Sequence, residues 1–333
     1  MTELNRQITL LSRPAGRPCE ANFRLVESPL PTPGQGQVLV RNHWLSLDPY
    51  MRGRMMDVRN YAPPVGIGEV MVGDTAGEVI LSHHPDFRPG DRVVGALGWQ
   101  RYGVAEGEAL RKVDAERIPL SVHLGAAGMP GVTAYVGLTD LCAAKAGETV
   151  VVTAAAGAVG SVAGQLARLR GCTVVGVAGG AAKCRHVVEA LGFHDCVDYK
   201  APELRRRLKA ALPNGVDCLF DNVGGEVLDA LLGRLNPFSR VTLCGAISEV
   251  DNPSPHGVRR LLPLIVNRVR VQGFIVGDHR ARWAAAIDEL SGHVASGRIR
   301  CHETVAEGLA AAPAAFLDLL AGRSLGKQLV RLE

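Results

Sequence analysis

The chain has 333 residues, of which 47% are hydrophobic and 21% charged, and a formal net charge of +4. That length can bury two cores, and so small a charge does not argue for a nucleic-acid or membrane-surface partner. No apolar run approaches the roughly 20 residues of a membrane span.

In chain order, the N-terminus lacks the pattern of a cleaved signal, and Ile8, Leu10 and Leu11 read as a first strand. Strands are predicted at 37–47 and 70–82, the latter bent at Gly73 and Gly77, and a strand–turn–strand at 92–105. Pro and Gly clusters punctuate them, so residues 1–124 are expected to form a small barrel-like β domain. From 125 to 296 the pattern alternates. A helix at 129–142 leads to strands at 149–153, 173–178, 195–199, 216–221, 239–247 and 269–276, with helices between them. This is the signature of an α/β domain with a doubly wound parallel sheet. The triple arginine 205–207 on the helix at 202–212 reads as a solvated face. The tail from 297 carries a helix at 310–321, interrupted near Pro313, and a strand at 327–332 that returns to the first domain. The expected division is therefore 1–124 with 297–333, and 125–296. The eight cysteines, at 19, 142, 172, 184, 196, 218, 244 and 301, form no CxxC pair. They read as buried, reduced thiols of a cytoplasmic protein.

The most informative stretch is 149–172. Val150, Val151 and Val152 make a β-branched run, followed by Ala155, Ala156, Gly157, Ala158, Val159 and Gly160, then Val162, Leu166 and Leu169 at helical spacing. Strand, small-residue turn and helix open a dinucleotide-binding βαβ unit, with the helix N-terminus aimed at a pyrophosphate. Ala155 stands where the first glycine of the fingerprint would be. Gly157 is expected to let the backbone approach the phosphate, and Gly164 to let the helix pack on the strand. The second strand ends in Ala178-Gly179-Gly180-Ala181-Ala182-Lys183, without the acid that would bind a ribose hydroxyl. Lys183 and Arg185 lie where a ribose phosphate would sit, which favours NADP(H) over NAD(H).

Further segments carry a resemblance: 45–53 (LSLDPYMRG), 61–65 (YAPPV), 128–135 (GMPGVTAY), 154–160 (AAAGAVG), 220–225 (FDNVGG) and 325–327 (LGK). In this order they make the chain similar to the zinc-independent medium-chain dehydrogenase/reductases of the prostaglandin reductase and 2-alkenal reductase family, over nearly its whole length. The resemblance implies a GroES-like β-barrel domain, a Rossmann domain, NADP(H) as cofactor and a homodimer. It implies that Lys183 and Tyr199 lie at the 2′-phosphate, Asn222 on the nicotinamide side, and Ser324 where the family has an asparagine, with Gly180 also among the cofactor-binding residues. It also exposes a departure: a family tyrosine that lies near the substrate is replaced by Val250.

Zinc alcohol dehydrogenases need Cys and His ligands, but the corresponding segment here is 73–78 (GDTAGE), and His43, His83 and His84 have no cysteines at ligand spacing. No metal is expected. The chemistry implied is hydride transfer to the C=C bond of an enone or enal. With no tyrosine at 250, Tyr50 and Tyr61 are the candidates to donate a hydrogen bond to the developing enolate oxygen, and packing the domain joint is as good a role for them. Arg52 reads as a structural ion pair ahead of a substrate-carboxylate role. Quinone reduction, and a cofactor-binding protein with little catalysis, stay open as alternatives.

Overall fold

The computed structural model describes residues 3–252 and 254–332, so Met1, Thr2, Pro253 and Glu333 lie outside it. The chain divides into two compact units, Met1–Leu124 with Glu303–Glu333, and Gly125–His302.

In the first unit, β1 (Leu4–Leu10) and β2 (Phe23–Pro29) form an antiparallel pair. There follow β3 (Gln37–Ser46), the short helix α1 (Tyr50–Arg54), β4 (Thr75–Ser82), β5 (Arg92–Gly95), β6 (Tyr102–Glu106) and β7 (Arg111–Lys112). β4 starts at Thr75, not at 70. Residues 70–74 instead feed single backbone bonds to neighbours, such as Met71 N–H to the Ile8 carbonyl at 2.9 Å.

The second unit starts with α2 (Met129–Val136), which continues as a wider π-type turn to Leu141. It then alternates: β8 (Thr149–Thr153), α3 (Ala158–Leu169), β9 (Thr173–Ala178), α4 (Ala181–Arg185), β10 (Asp195–Asp198), α5 (Leu204–Ala211), β11 (Val216–Asp221), α6 (Gly225–Leu232), β12 (Leu235–Leu243), α7 (Leu262–Val266), β13 (Arg270–Gly273) and α8 (Trp283–Ala295). The six strands are parallel, in the order β10-β9-β8-β11-β12-β13. Counted within the unit this is 3-2-1-4-5-6, the doubly wound order, and the chain reverses direction across the sheet between β8 and β11. The middle strands are apolar on both faces because helices cover both. Val150, Val151 and Val152 are fully buried, each worth about 1.5–3 kcal/mol of transfer energy.

The tail returns to the first unit with β14 (Glu303–Glu307), α9 (Ala312–Leu320) and β15 (Lys327–Arg331). β15 pairs antiparallel with β3 and parallel with β14, completing a seven-stranded sheet. β14 is a strand that the expected elements did not include, lying before the helix expected at 310–321. Pro313 occupies the first turn of α9, where a missing N–H costs nothing, so it starts the helix and does not interrupt it. Phe316 packs edge-on against Phe23 and Trp99, which stack on each other at 5.5 Å, at the centre of this unit's core.

No disulfide forms among the described residues, but only Cys142, Cys172 and Cys218 are buried, while Cys19 and Cys301 are exposed. Arg205 is not simply a solvated residue either, since it reaches the buried Asp229 at 3.1 Å. Among the described residues no helix is long and apolar enough to cross a membrane.

Candidate active site

The carboxyl ends of β8, β9, β10 and β11 form one edge of the parallel sheet. After Thr153 the chain turns through Ala154, whose φ of +48° is left-handed. A non-glycine residue in that region costs about 1–3 kcal/mol. The turn closes with Gly157 N–H on the Ala154 carbonyl at 2.9 Å, and α3 begins at Ala158 with no side chain capping it. Gly157 itself has an ordinary φ of −91°. The glycine that the geometry demands is Gly160, where a Cβ would lie 2.3 Å from the Ala154 oxygen. Gly164 differs from expectation: the Phe193 ring, not the strand, fills the space of its missing Cβ, at 1.8 Å. Ala156 is buried, and Ala158 and Val159 supply the first N–H groups of an uncapped helix, a ready anion site.

At the point where the strand order reverses, Asp221 is fully buried and accepts from the Thr153 hydroxyl at 2.7 Å and from Gly224 N–H at 2.8 Å. Burial pushes its carboxyl above the ordinary range, against these donors. Asn222 donates its side-chain amide to the Thr153 carbonyl and its N–H to the Thr153 hydroxyl, both at 2.8 Å. One hydrogen of its amide nitrogen therefore joins β8 to β11, and the second hydrogen and Oδ1 are what it can offer a ligand. The following turn uses Gly224 (φ +72°) and Gly225 (φ +59°), and a Cβ on Gly225 would meet the Ser248 and Glu249 oxygens at 2.6 Å.

The irregular segment after β12 is fastened to this turn and to α6. Ser248 Oγ donates to the Val223 carbonyl at 2.7 Å, His256 N–H to Glu249 at 2.9 Å, and Arg259 N–H to Asp229 at 2.8 Å. Asp229 is almost fully buried, with Arg205, Arg260 and His256 within 4.0 Å. Val250, expected from the resemblance to stand in place of a tyrosine, is exposed. On the outer side of β9, Gly180 (φ +97°) caps α4, which carries Lys183, and Tyr199 follows β10 with its N–H on the Ala178 carbonyl at 3.1 Å. Gly180, Lys183 and Tyr199 thus gather at one corner of the edge.

The first unit holds the two candidate tyrosines. Tyr50 opens α1, directly after the buried Asp48. Asp48 takes the Lys327 ammonium at 2.8 Å and the Ser46 hydroxyl, and Lys327 also donates to the Leu47 carbonyl at 2.7 Å. Both members of this ion pair are about 4% exposed. Burial, then Asp74, then Asp48, push the Tyr50 phenol well above its usual range, and Tyr61 adds to this. Tyr50 and Tyr61 therefore share one neighbourhood. Tyr61 is 56% exposed, and its phenol is also raised, by partial burial. Tyrosines held this firmly protonated serve as hydrogen-bond donors and not as bases. Arg52 is buried and donates to the Gly16 carbonyl at 2.7 Å. Asp74 lies in the field of Arg111. Among the described residues no three His, Cys, Asp or Glu gather as a metal-holding group. Ser324 is a partly buried residue of this unit, just before β15.

Residues 6–113 match the family described as "N-terminal domain of oxidoreductase", and residues 158–292 the family described as "Zinc-binding dehydrogenase". The NADPH-dependent curcumin reductase of Escherichia coli (strain K12) is 46% identical over 98% of this chain and 97% of its own. The chain belongs to the zinc-independent medium-chain dehydrogenase/reductases. Within that family, the 2-alkenal reductase (NADP(+)-dependent) of Nicotiana tabacum is 38% identical over 98% of this chain and 97% of its own. The crystal structure of CurA from Vibrio vulnificus in complex with NADPH superposes with a TM-score of 0.94, at 44% identity, covering 98% of this chain and 99% of that one.

Sequence reasoning missed Thr153, Asp221, Asp229 and the Asp48–Lys327 pair. Asp48 and Lys327 lie inside segments already noted at 45–53 and 325–327, so the signal was there. Asp229 sits within a helical apolar pattern and gave none.

Proposed function

We propose that this reductase uses NADPH to saturate the C=C bond of α,β-unsaturated ketones and aldehydes. The observation that carries this is the sheet edge itself: an uncapped α3 beside a corner with Lys183 and Tyr199 and no acid at the end of β9. These residues fit a dinucleotide with a 2′-phosphate, and the names of the relatives point to the same cofactor and to 2-alkenals. When bound, NADPH supplies the hydride that goes to the β-carbon.

In this reading the N–H groups of Ala158, Val159 and Gly160 bind the pyrophosphate, and Lys183 and Tyr199 bind the 2′-phosphate. Asn222 orients the carboxamide side through Oδ1. Ser324, shorter than the family asparagine, contributes one hydroxyl. As charge develops on the substrate carbonyl oxygen, the Tyr50 hydroxyl donates to it and stays protonated, and Tyr61 is the second donor. The α-carbon then takes a proton from water to complete the saturated product.

A homodimer fits the outer strand β13. All four of its residues are exposed, its free edge is a template for pairing across a two-fold axis, and the preceding α7 exposes Leu262 and Ile265. A cytoplasmic location fits eight cysteines with no disulfide among the described residues.

The test is oxidation of NADPH, with NADH as control, by the purified protein against matched enals, enones and quinones, recording product masses. Saturated carbonyl products with NADPH support the proposal. Reduction of quinones alone, or of nothing on the panel, overturns it. Light scattering of the eluted protein reads the dimer, and Val271→Asp should yield monomer.

A further inference from the structure

The corner that receives the 2′-phosphate holds a second lysine that the motifs did not single out. β9 and β10 run parallel, with Asp198 opposite Ala178, so residues 179–180 and 199–200 leave the sheet side by side. Asp198 fixes this arrangement, since its Oδ1 accepts both Gly180 N–H at 2.8 Å and Lys200 N–H at 2.9 Å. The two side chains that follow fold over the backbone of Gly179. A Cβ built on Gly179 would lie 2.9 Å from Tyr199 Cε1, 3.0 Å from the Tyr199 hydroxyl and 3.0 Å from Lys200 Cε. A Cβ there would press on the Tyr199 ring and on the end of the Lys200 chain, and each would have to shift.

Lys200 is also close enough to Lys183 for their charges to interact. The Lys183 ammonium is pushed below its ordinary range, first by partial burial and then by Lys200. Bringing two ammonium groups together is unfavourable in the free protein. It becomes favourable when a doubly charged phosphate sits between them, because each lysine then makes a charge-assisted hydrogen bond and the repulsion is neutralised.

We infer that Lys200 is a second cation for the 2′-phosphate of the cofactor, and that Gly179 is the specificity-determining glycine that lets Lys200 and Tyr199 reach it. This rests on NADPH as the cofactor and is independent of the substrate. It assigns the discrimination between the two nicotinamide cofactors to both strand ends, β9 and β10, and not to Lys183 alone.

The experiment is calorimetric titration of the full chain with 2′,5′-ADP and with 5′-AMP, which differ in the 2′-phosphate. Lys200→Met should weaken 2′,5′-ADP by about tenfold and leave 5′-AMP unchanged, and Lys200→Arg should restore most of the loss. Gly179→Ala should show the same selective loss, with thermal melting used to confirm that the variant is folded. If the unsubstituted protein binds the two nucleotides equally, the NADPH reading falls and this inference with it. If the protein discriminates but Lys200→Met does so equally well, the inference about Lys200 alone is overturned. The ratio of kcat/KM for NADPH to that for NADH should fall in parallel with the affinities.

Discussion

The sheet edge of the second unit and the tyrosine corner of the first are built from opposite materials. The edge around α3 uses backbone: small residues, a left-handed Ala154, a glycine at 160 with no room for a Cβ, and helix N–H groups left without a side-chain cap. The tyrosine corner uses buried charge: Asp48 and Lys327 pair out of water, and Asp74 and Asp48 act on the Tyr50 phenol. A backbone site is rigid and tolerates no added volume. A charged site is electrostatically tuned and tolerates no unbalanced charge. The two should therefore fail in different ways.

The largest effect is expected at the buried ion pair. Lys327→Met leaves Asp48 unpaired and should cost about 3–5 kcal/mol, whereas Asp48→Asn with Lys327→Met should cost clearly less than either change alone. Urea unfolding monitored in the first unit reads this, and additive losses would refute the coupling. At the backbone site, Gly160→Ala should cost about 3 kcal/mol through overpacking on the Ala154 carbonyl and should abolish nucleotide binding. Thermal melting and 2′,5′-ADP titration check it. Tyr50→Phe should lower kcat/KM by about a hundredfold, as loss of a donor to a developing oxyanion does, without changing NADPH affinity. Tyr61→Phe, at the more exposed ring, should lower it less. If both are silent, donation belongs elsewhere.

The smallest effect concerns pH. A lysine whose pKa is lowered loses its charge earlier as pH rises, while a 2′-phosphate is already fully ionised above about pH 7. Affinity for 2′,5′-ADP should thus decline on the alkaline side below the ordinary lysine range. The Lys200 ammonium pushes this midpoint down, and the Asp198 carboxylate and Tyr199 lie at the same corner. Lys200→Met should move the midpoint up, and an unchanged midpoint would separate the two lysines.

Much of this was legible from residues. The β8–α3–β9 unit follows from a valine run, small residues and helical spacing, all local signals. Other elements were hidden for identifiable reasons. β12 begins at Leu235, well before the expected 239, because Asn236-Pro237 reads as loop. In the sheet, Phe238 takes a left-handed φ of +62° and the register slips between Val216 and Cys218, which absorbs the proline. β14 carries no strand signal of its own, because only two of its five residues are β-branched and an alanine-rich stretch begins inside it at Ala306, and pairing with β15 makes it a strand. Gly164 reads as a strand contact because the sequence does not reveal that Phe193 packs there.

By itself, the sequence determined the order of the six parallel strands, the missing acid after β9, the small-residue turn and the family segments, because each depends on residues close together in the chain. Tertiary structure decided which glycine is indispensable, that Asn222 is committed to Thr153, that Lys327 finds Asp48 across 279 residues, and that Lys200 lies over Gly179 beside Lys183. Those contacts arise from sheet pairing between distant segments, and their energies are set by burial, which no local pattern encodes.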